Sequence, residues 1–281
     1  MEQTIVNAQA KKKGFNFSLF LGVFFILIVI GLFIWSFITS VDPTLFDMTN
    51  RFDGWSMAHP LGTDQFGRDV LTRVAYSMRS VFTVGVGSVL LGLIIGMIIG
   101  SIAGIAPTFI QRLLMSVVDG LIAFPGILLA MLIVFILGDG IENTVVAIGI
   151  MMVPSYAKLS YSTVIENKQK LYVKAAKSYG LSNFQIVVSH IYPDLLPKIV
   201  TQFTSSVAGA IMIEASLSFL GLGVQPPNAS LGLMLKEAQK DVLLRPEIVI
   251  PAGVSLMIVV LGFNLIGDAL NDKLLNRRGE S

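Results

Sequence analysis

The chain has 281 residues, 54% of them hydrophobic and only 14% charged, with a mean hydropathy of +0.76. A water-soluble domain carries about 25% charged residues, so this chain lacks the polar surface to cover itself in water and reads as an all-α integral membrane protein. The net charge of +2 is too small to point to nucleic acid, the absence of cysteine excludes disulfides and thiolate chemistry, and two histidines are too few for a histidine metal cage.

A membrane-crossing helix needs about 20 mostly apolar residues. Six stretches meet that need: 17–40, 82–105, 113–137, 144–161, 200–222 and 248–270. The first is longer than the apolar core of a signal peptide, about 7–15 residues, and no small-residue cleavage pattern follows it, so it reads as a retained span. It is preceded by a tail, 1–16, whose Lys11, Lys12 and Lys13 favour the cytoplasmic side.

Residues 41–81 then form an outer loop. His59, Pro60 and Gly62 give it a turn-forming stretch, and His59 has no neighbouring ligand in sequence that would make a metal site. From residue 67 to 80, Val70, Leu71, Val74 and Met78 are spaced as the apolar face of an interfacial helix, with Arg68, Arg73 and Arg79 on its polar side. In the second span Ser88, Gly92, Gly96, Gly100 and Gly104 recur every four residues, the spacing of a helix-packing seam or of a pore-lining stripe. The fourth span is the shortest, and Pro154 is expected to kink it.

The charge distribution gives the topology. With both ends inside, the cytoplasmic segments hold Lys11 to Lys13, Arg112, Lys158, Lys168, Lys170, Lys174, Lys177, Lys198, Lys273, Arg277 and Arg278, thirteen of the twenty basic residues. The outer segments hold Arg51, Arg68, Arg73, Arg79, Lys236, Lys240 and Arg245. That bias fits six spans with cytoplasmic termini. The core is then a five-helix unit, 82–270, that carries a cytoplasmic loop at 162–199 and ends in a tail at 271–281.

The loop is the most informative polar stretch. Residues 171–179 read as a short helix, Gly180 as its left-handed stop, and Ser182 as the cap of a second helix running to about Ile191, with Pro193 blocking further propagation. Alone, such a helix-turn-helix also suits DNA, but this one is tethered at both ends to membrane spans.

Lys174-Ala175-Ala176, Gly180 and His190-Ile191-Tyr192-Pro193 resemble the "EAA" coupling loop of binding-protein-dependent ABC importers. Further stretches narrow the resemblance to the C-type permease of the dipeptide, oligopeptide and nickel group: His59-Pro60-Leu61-Gly62-Thr63-Asp64 with Gly67-Arg68-Asp69-Val70-Leu71, Asp119 with Ala123-Phe124-Pro125, the run from Glu214 to Gly223, Gln225-Pro226-Pro227, and the run from Phe263 to Leu270. The chain departs from the family where Lys174 stands in place of a frequent glutamate, and where Val153 and Leu231 replace frequent tryptophans.

The resemblance implies the type I importer permease fold and a pore subunit that is not itself an enzyme. It implies four partners or partner pairs: a related second permease, two ATPase subunits that bind ATP and Mg, an external substrate-binding protein, and the lipid bilayer. Tyr172, Lys174, Ala175, Ala176, Gly180, Ser182, His190 and Pro193 would couple the pore to the ATPase. Asp119, Glu214, Ser218, Asn264 and Asp268 are candidates for the translocation path or its gate, because polar groups inside spans are functional candidates by default; the competing readings are an inter-helix hydrogen bond for Glu214, a pairing with Arg112 or an adjacent helix end for Asp119, and helix packing or coupling for Asn264 and Asp268. The chain has no Gly-x-x-x-x-Gly-Lys-[Ser/Thr] loop, so any ATP must act through a partner. Peptides are the expected cargo, nickel or a metal chelate the second choice. The rival reading is a secondary transporter or channel that needs no ATPase.

Overall fold

The computed structural model describes residues 17–278, with side chains to Asp272. The tail 1–16 with Lys11 to Lys13, the side chains of Lys273, Arg277 and Arg278, and residues 279–281 lie outside the described residues. Those described are helical, apart from turns and one isolated bridge between Thr63 and Asp69.

The first span is α1 (Phe17–Ile38), apolar on all sides. After a loop come α2 (Val70–Ser80), a π-helical stretch (Val81–Val86) and α3 (Gly87–Ile105). These three run on as one 36-residue apolar rod. The expected interfacial helix is therefore the first part of the second span. Its arginines are not an exposed polar face, since Arg68 and Arg73 are 5% and 1% exposed.

The expected third span is broken. Helices α4 (Thr108–Ile122) and α5 (Gly126–Leu137) meet at 94°. Pro125 has extended backbone angles and caps α5, and because a proline biases the residue before it away from the helical region, the sequence Ala123-Phe124-Pro125 favours an end to α4 here. Among the described residues five helices are each long and apolar enough to cross a membrane, and the count is six if the bent pair is taken as one broken span.

The fourth span, α6 (Ile141–Lys168), is 28 residues long and far from the shortest; it continues through Pro154 without a break. Then come α7 (Leu171–Ser178), α8 (Asn183–Ile186), a π-helical stretch (Val187–Ile191) and α9 (Tyr192–Leu220). Pro193 does not end the second loop helix: α8, the π-helical stretch and α9 form one rod, Asn183–Leu220. Proline lacks the N–H that bonds to the carbonyl four residues back and crowds that carbonyl. The π-helical stretch just before Pro193, closed by the Tyr192 N–H on the Val187 carbonyl, locally widens the spiral where that crowding would fall. A short hairpin containing α10 (Leu231–Ala238) leads to α11 (Ile250–Arg278).

The centre of the bundle is the contact of α3 with α6. A Cβ on Gly92 would stand 2.6 Å from the Met152 Cβ, and one on Gly96 would stand 2.6 Å from the Val153 carbonyl oxygen; Gly100 meets Ala157 as closely, and Gly104 meets Val164. The four-residue glycine repeat is thus a packing seam against α6 rather than the lining of a path. On the other side α1 lies across α2 and α11, with Gly22 closed against Leu265.

Candidate functional site

The rod ends carry two polar assemblies, one around α7 and one around α10. At the α7 end, α7 buries Val173 and Ala176 and turns Lys174, Ala175, Lys177 and Ser178 outward. Its chain reversal depends on Gly180, whose φ of +86° lies in the left-handed region, while the Leu181 N–H reaches back to the Ala176 carbonyl at 3.3 Å. A Cβ on Gly180 would meet nothing within 4 Å, so glycine is needed there for its backbone conformation and not for space.

Ser182 then opens α8 with a reciprocal cap. Its hydroxyl accepts from the Gln185 N–H at 3.3 Å, and its own N–H donates to Gln185 Oε1 at 2.9 Å. Val173 and Ala176 of α7, Val164 of α6, and Ile186, Val187 and Ile191 share one small apolar cluster. The two short helices are thereby fixed to the two long rods.

Polar contacts reinforce the joint. The Tyr172 hydroxyl donates to Asn167 Oδ1 at 2.9 Å, and its ring stacks on His190 with centroids 6.5 Å apart. The His190 Nδ1 lies 2.6 Å from the Ser189 hydroxyl. Lys170 bonds Asp194 at 3.2 Å. Desolvation disfavours the Lys170 ammonium, but the Asp194 hydrogen bond and the charges of Asp194 and Glu166 outweigh it, so this lysine titrates above the ordinary lysine value.

The sequence candidates Tyr172, Lys174, Ala175, Ala176, Gly180, Ser182, His190 and Pro193 all fall in this one module. Of the large apolar side chains exposed on it, Leu171 at 84%, Tyr179 at 86% and Phe184 at 73% are the most open.

The five path or gate candidates do not come together. Asp119 on α4 pairs with Lys158 on α6 at 2.9 Å, and not with Arg112; both carboxylate and ammonium are at least half exposed. Lys158, assigned by the charge count to a cytoplasmic segment, sits inside α6, ten residues before its end. Glu214 and Ser218 are buried: the Ser218 hydroxyl donates to Glu214 Oε1 at 2.8 Å and accepts from the Val224 N–H at 3.0 Å. They tie the end of α9 to the turn that follows. On α11, Asn264 is half-buried and Asp268 exposed.

The second assembly, at the α10 end, was missed by sequence reasoning. Arg68 donates to Asp64 Oδ2 at 2.6 Å and to Glu237 Oε2 at 2.7 Å, and Arg73 donates to the same Glu237 oxygen at 2.9 Å. Asp64 Oδ2 lies 3.6 Å from Arg73 Nε. Beside them, His59 Nδ1 contacts Asp69 Oδ1 at 3.0 Å, and the other Asp69 oxygen caps α2 through the Thr72 N–H. Glu237 is 164 residues from Arg73, so no local pattern links them. The available signal was the run Thr63-Asp64 with Gly67-Arg68-Asp69, in which charges crowd a segment that also has to start an apolar rod. Among the described residues no group of three or more potential ligands is placed to hold a metal ion.

Comparison with known proteins places this geometry. Residues 92–279 match the family described as "Binding-protein-dependent transport system inner membrane component". The glutathione transport system permease protein GsiD of Pectobacterium atrosepticum is 38% identical over 252 residues, covering 89% of this chain and 84% of that protein. The dipeptide transport system permease protein DppC of Alkalihalophilus pseudofirmus is 41% identical over 226 residues, covering 80% and 74%. In fold, the chain is similar to an inward-facing MetNI methionine ABC transporter, with a TM-score of 0.56 at 18% identity over 70% of this chain and 94% of the other. The match of the family across most of the rods, the α7 module included, together with relatives aligned along nearly the whole chain, shows that this protein belongs to the binding-protein-dependent transport system inner membrane components, the permeases of ABC importers.

Proposed function

We propose that this chain is the pore-forming permease of an ATP-driven importer for small peptides, working across the cytoplasmic membrane with its α7 end and both termini inside. The observation that carries the reading is the α7 module. It is a rigid knob bolted to α6 and α9 by a shared apolar cluster, yet it leaves Leu171, Tyr179 and Phe184 in water. Such a surface suits a groove on another protein. We assign that groove to the ATPase subunits, which would hold ATP and Mg.

A second related permease would complete the path and an external binding protein would deliver cargo. When nucleotide draws the ATPases together, the knob moves with them. Because it is joined to two long rods, displacement at α7 is passed to α6 and α9. Only a difference in binding between the two states can shift the equilibrium, so the joint must be stiff. The Gly180 turn, the Ser182 cap and the Tyr172–His190 stack supply that stiffness.

Peptide cargo is supported by the glutathione and dipeptide systems named among the relatives. The half-exposed Asp119–Lys158 pair is the charged feature best placed to line the path, since ionised groups on an outward face of the spans favour water or protein over lipid.

The test is co-expression with the neighbouring ATPase and permease genes. Wild type is expected to co-purify with the ATPase and to support uptake of labelled di- and tripeptides above that of nickel. Phe184→Asp with Tyr179→Asp is expected to insert in the membrane, lose the ATPase and lose uptake. Peptide uptake that persists without any ATPase would establish the secondary-transporter reading instead.

A further inference from the structure

A cavity of about 450 Å³ opens beside the end of α1 nearest α10, walled by the loop 39–44, Tyr76 and Arg79 of α2, Ile141 and residues 227–229. Its size is that of a small-ligand site. The charged residues among those lining it are Arg79 and Asp42.

Arg79 is unlike the two arginines before it on the same element. Arg68 and Arg73 are matched by carboxylates at 2.6–2.9 Å, whereas among the described residues no carboxylate lies within ion-pair distance of Arg79. Its Nε donates to the Ser36 hydroxyl at 2.9 Å and its Nη2 donates to the Ser36 carbonyl. The guanidinium is stacked between Phe37 and Tyr76, 4.1 and 4.2 Å from their centroids. Nη1 makes no hydrogen bond within the described residues. The fork is therefore held in place from one side by α1, with donors left over and no counter-ion, the arrangement that receives a phosphate or carboxylate oxygen. The second charged lining residue, the exposed Asp42, has its carboxyl held below the usual carboxylate range by hydrogen bonds from the Thr44 hydroxyl and N–H; Oδ1 takes both bonds, and Oδ2 has none.

An anion facing Arg79 and a cation facing Asp42 describe a zwitterion with a hydrogen-bonding ammonium. The surroundings choose its source. Trp35, Phe37 and Ile38 at the same end of α1 are exposed, the last two at 63% and 76%, and aromatic side chains beside a snorkelling arginine mark the level of lipid headgroups. We infer that this cavity is an outer-leaflet phospholipid site that takes a phosphoethanolamine headgroup, phosphate on Arg79 and primary ammonium on Asp42, with the acyl chains along α1. The leaflet rests on the orientation proposed above; the site itself does not depend on what the importer carries.

The experiment uses the intact complex in nanodiscs made of equal phosphatidylethanolamine and phosphatidylcholine, with retained lipid counted by native mass spectrometry after transfer to detergent. Wild type is expected to retain the ethanolamine lipid, because the quaternary choline has no N–H for Asp42. Arg79→Gln is expected to lower retention about tenfold, the scale of one lost charge-assisted contact. Asp42→Asn, which leaves the α1–α2 contact intact, is expected to keep phospholipid but lose the preference for ethanolamine over choline. If Arg79→Gln fails to assemble, Arg79→Lys and Asp42→Asn decide the matter by the same count. Equal retention of both lipids by wild type, or displacement of the lipid by a free dipeptide, which would make the cavity a cargo site, would overturn the inference. Loss of peptide uptake with lipid retention unchanged would count against the transport reading and leave this one standing.

Discussion

The two ends of the bundle are held together by opposite means. At the α7 end the joint is a small apolar cluster, with charges on its rim, and the unburied side chains are apolar. At the α10 end the joint is made of charges: two buried arginines share Glu237 and Asp64, and the apolar core continues beneath them. An apolar joint tolerates sliding by fractions of an ångström, because contacts of carbon with carbon are individually weak and non-directional. A buried guanidinium–carboxylate network does not, since its hydrogen bonds fail outside a narrow range of distance and angle. The charged network therefore locks a loop onto a hairpin by itself, whereas the α7 joint, to pass motion to the rods as proposed, needs the Gly180 turn and the Ser182 cap beside its apolar cluster.

The sharpest way to break this contrast is Glu237→Ala. It leaves the Arg68 and Arg73 guanidiniums with Asp64 as the one carboxylate they still share, and removing one member of a buried pair costs about 3–5 kcal/mol. The measurement is thermal unfolding of the detergent-solubilised complex. The expected result is a large drop in melting temperature, while ATPase co-purification through the α7 knob is retained in whatever folded fraction remains. Loss of less than about 1 kcal/mol would show the network to be no stronger than an exposed ion pair.

Gly180→Val probes the other end. A β-branched residue in the left-handed region is strained by roughly 1–2 kcal/mol, and the nearest relief is to unwind the α7–α8 turn. Since no atom crowds the position, global stability is expected to fall little. Transport is expected to fall much more: ATP hydrolysis continues while peptide uptake is lost. Uptake at the wild-type rate would remove the turn from the coupling path. Ser182→Ala acts on the same joint more gently. It deletes one side of the capping box, worth typically ~1 kcal/mol, and the expected sign is faster hydrogen exchange confined to residues 183–187 with partial uptake.

How much of this was legible in advance follows the same division. The α7 module could be read residue by residue because its determinants are local: a glycine at a helix end, a serine three residues before Gln185, alanines on a short helix. The apolar spans were legible from composition, though their ends were not. In sequence Pro193 reads as a stop because proline breaks an ideal α-helix; a π-helical stretch just ahead of it lets the rod continue. Pro125 gives no such signal inside its long apolar run, yet there the chain does turn, by 94°. Hydropathy cannot separate these two prolines, because both lie beside apolar helix. Arg68 and Arg73 read as a polar face in sequence, since an arginine looks exposed until its partner is known, and Glu237 is too distant in sequence to be seen from there. The same limit hid Lys158, whose partner Asp119 lies on another helix.

The smallest expected effect bears on the departure of this chain from its family's pattern. Lys174 stands on the exposed face of α7, and its side chain makes no ion pair within the described residues. Lys174→Glu therefore removes no contact inside the chain, and a surface substitution of this kind changes stability by no more than about 0.5 kcal/mol. Any larger effect has to come from the surface that α7 meets. If docking depends on the apolar Leu171, Tyr179 and Phe184, the variant is expected to couple nearly as well as wild type, with affinity for the ATPase changed less than about tenfold, or ~1.4 kcal/mol. A carboxylate across the interface would add like-charge repulsion, which salt screens, so the loss would shrink as ionic strength rises from low to about 0.5 M. Measuring ATPase affinity at two salt concentrations separates the two cases: a small loss that ignores salt assigns docking to shape, and a large one that salt relieves assigns it to an acidic partner matched to Lys174.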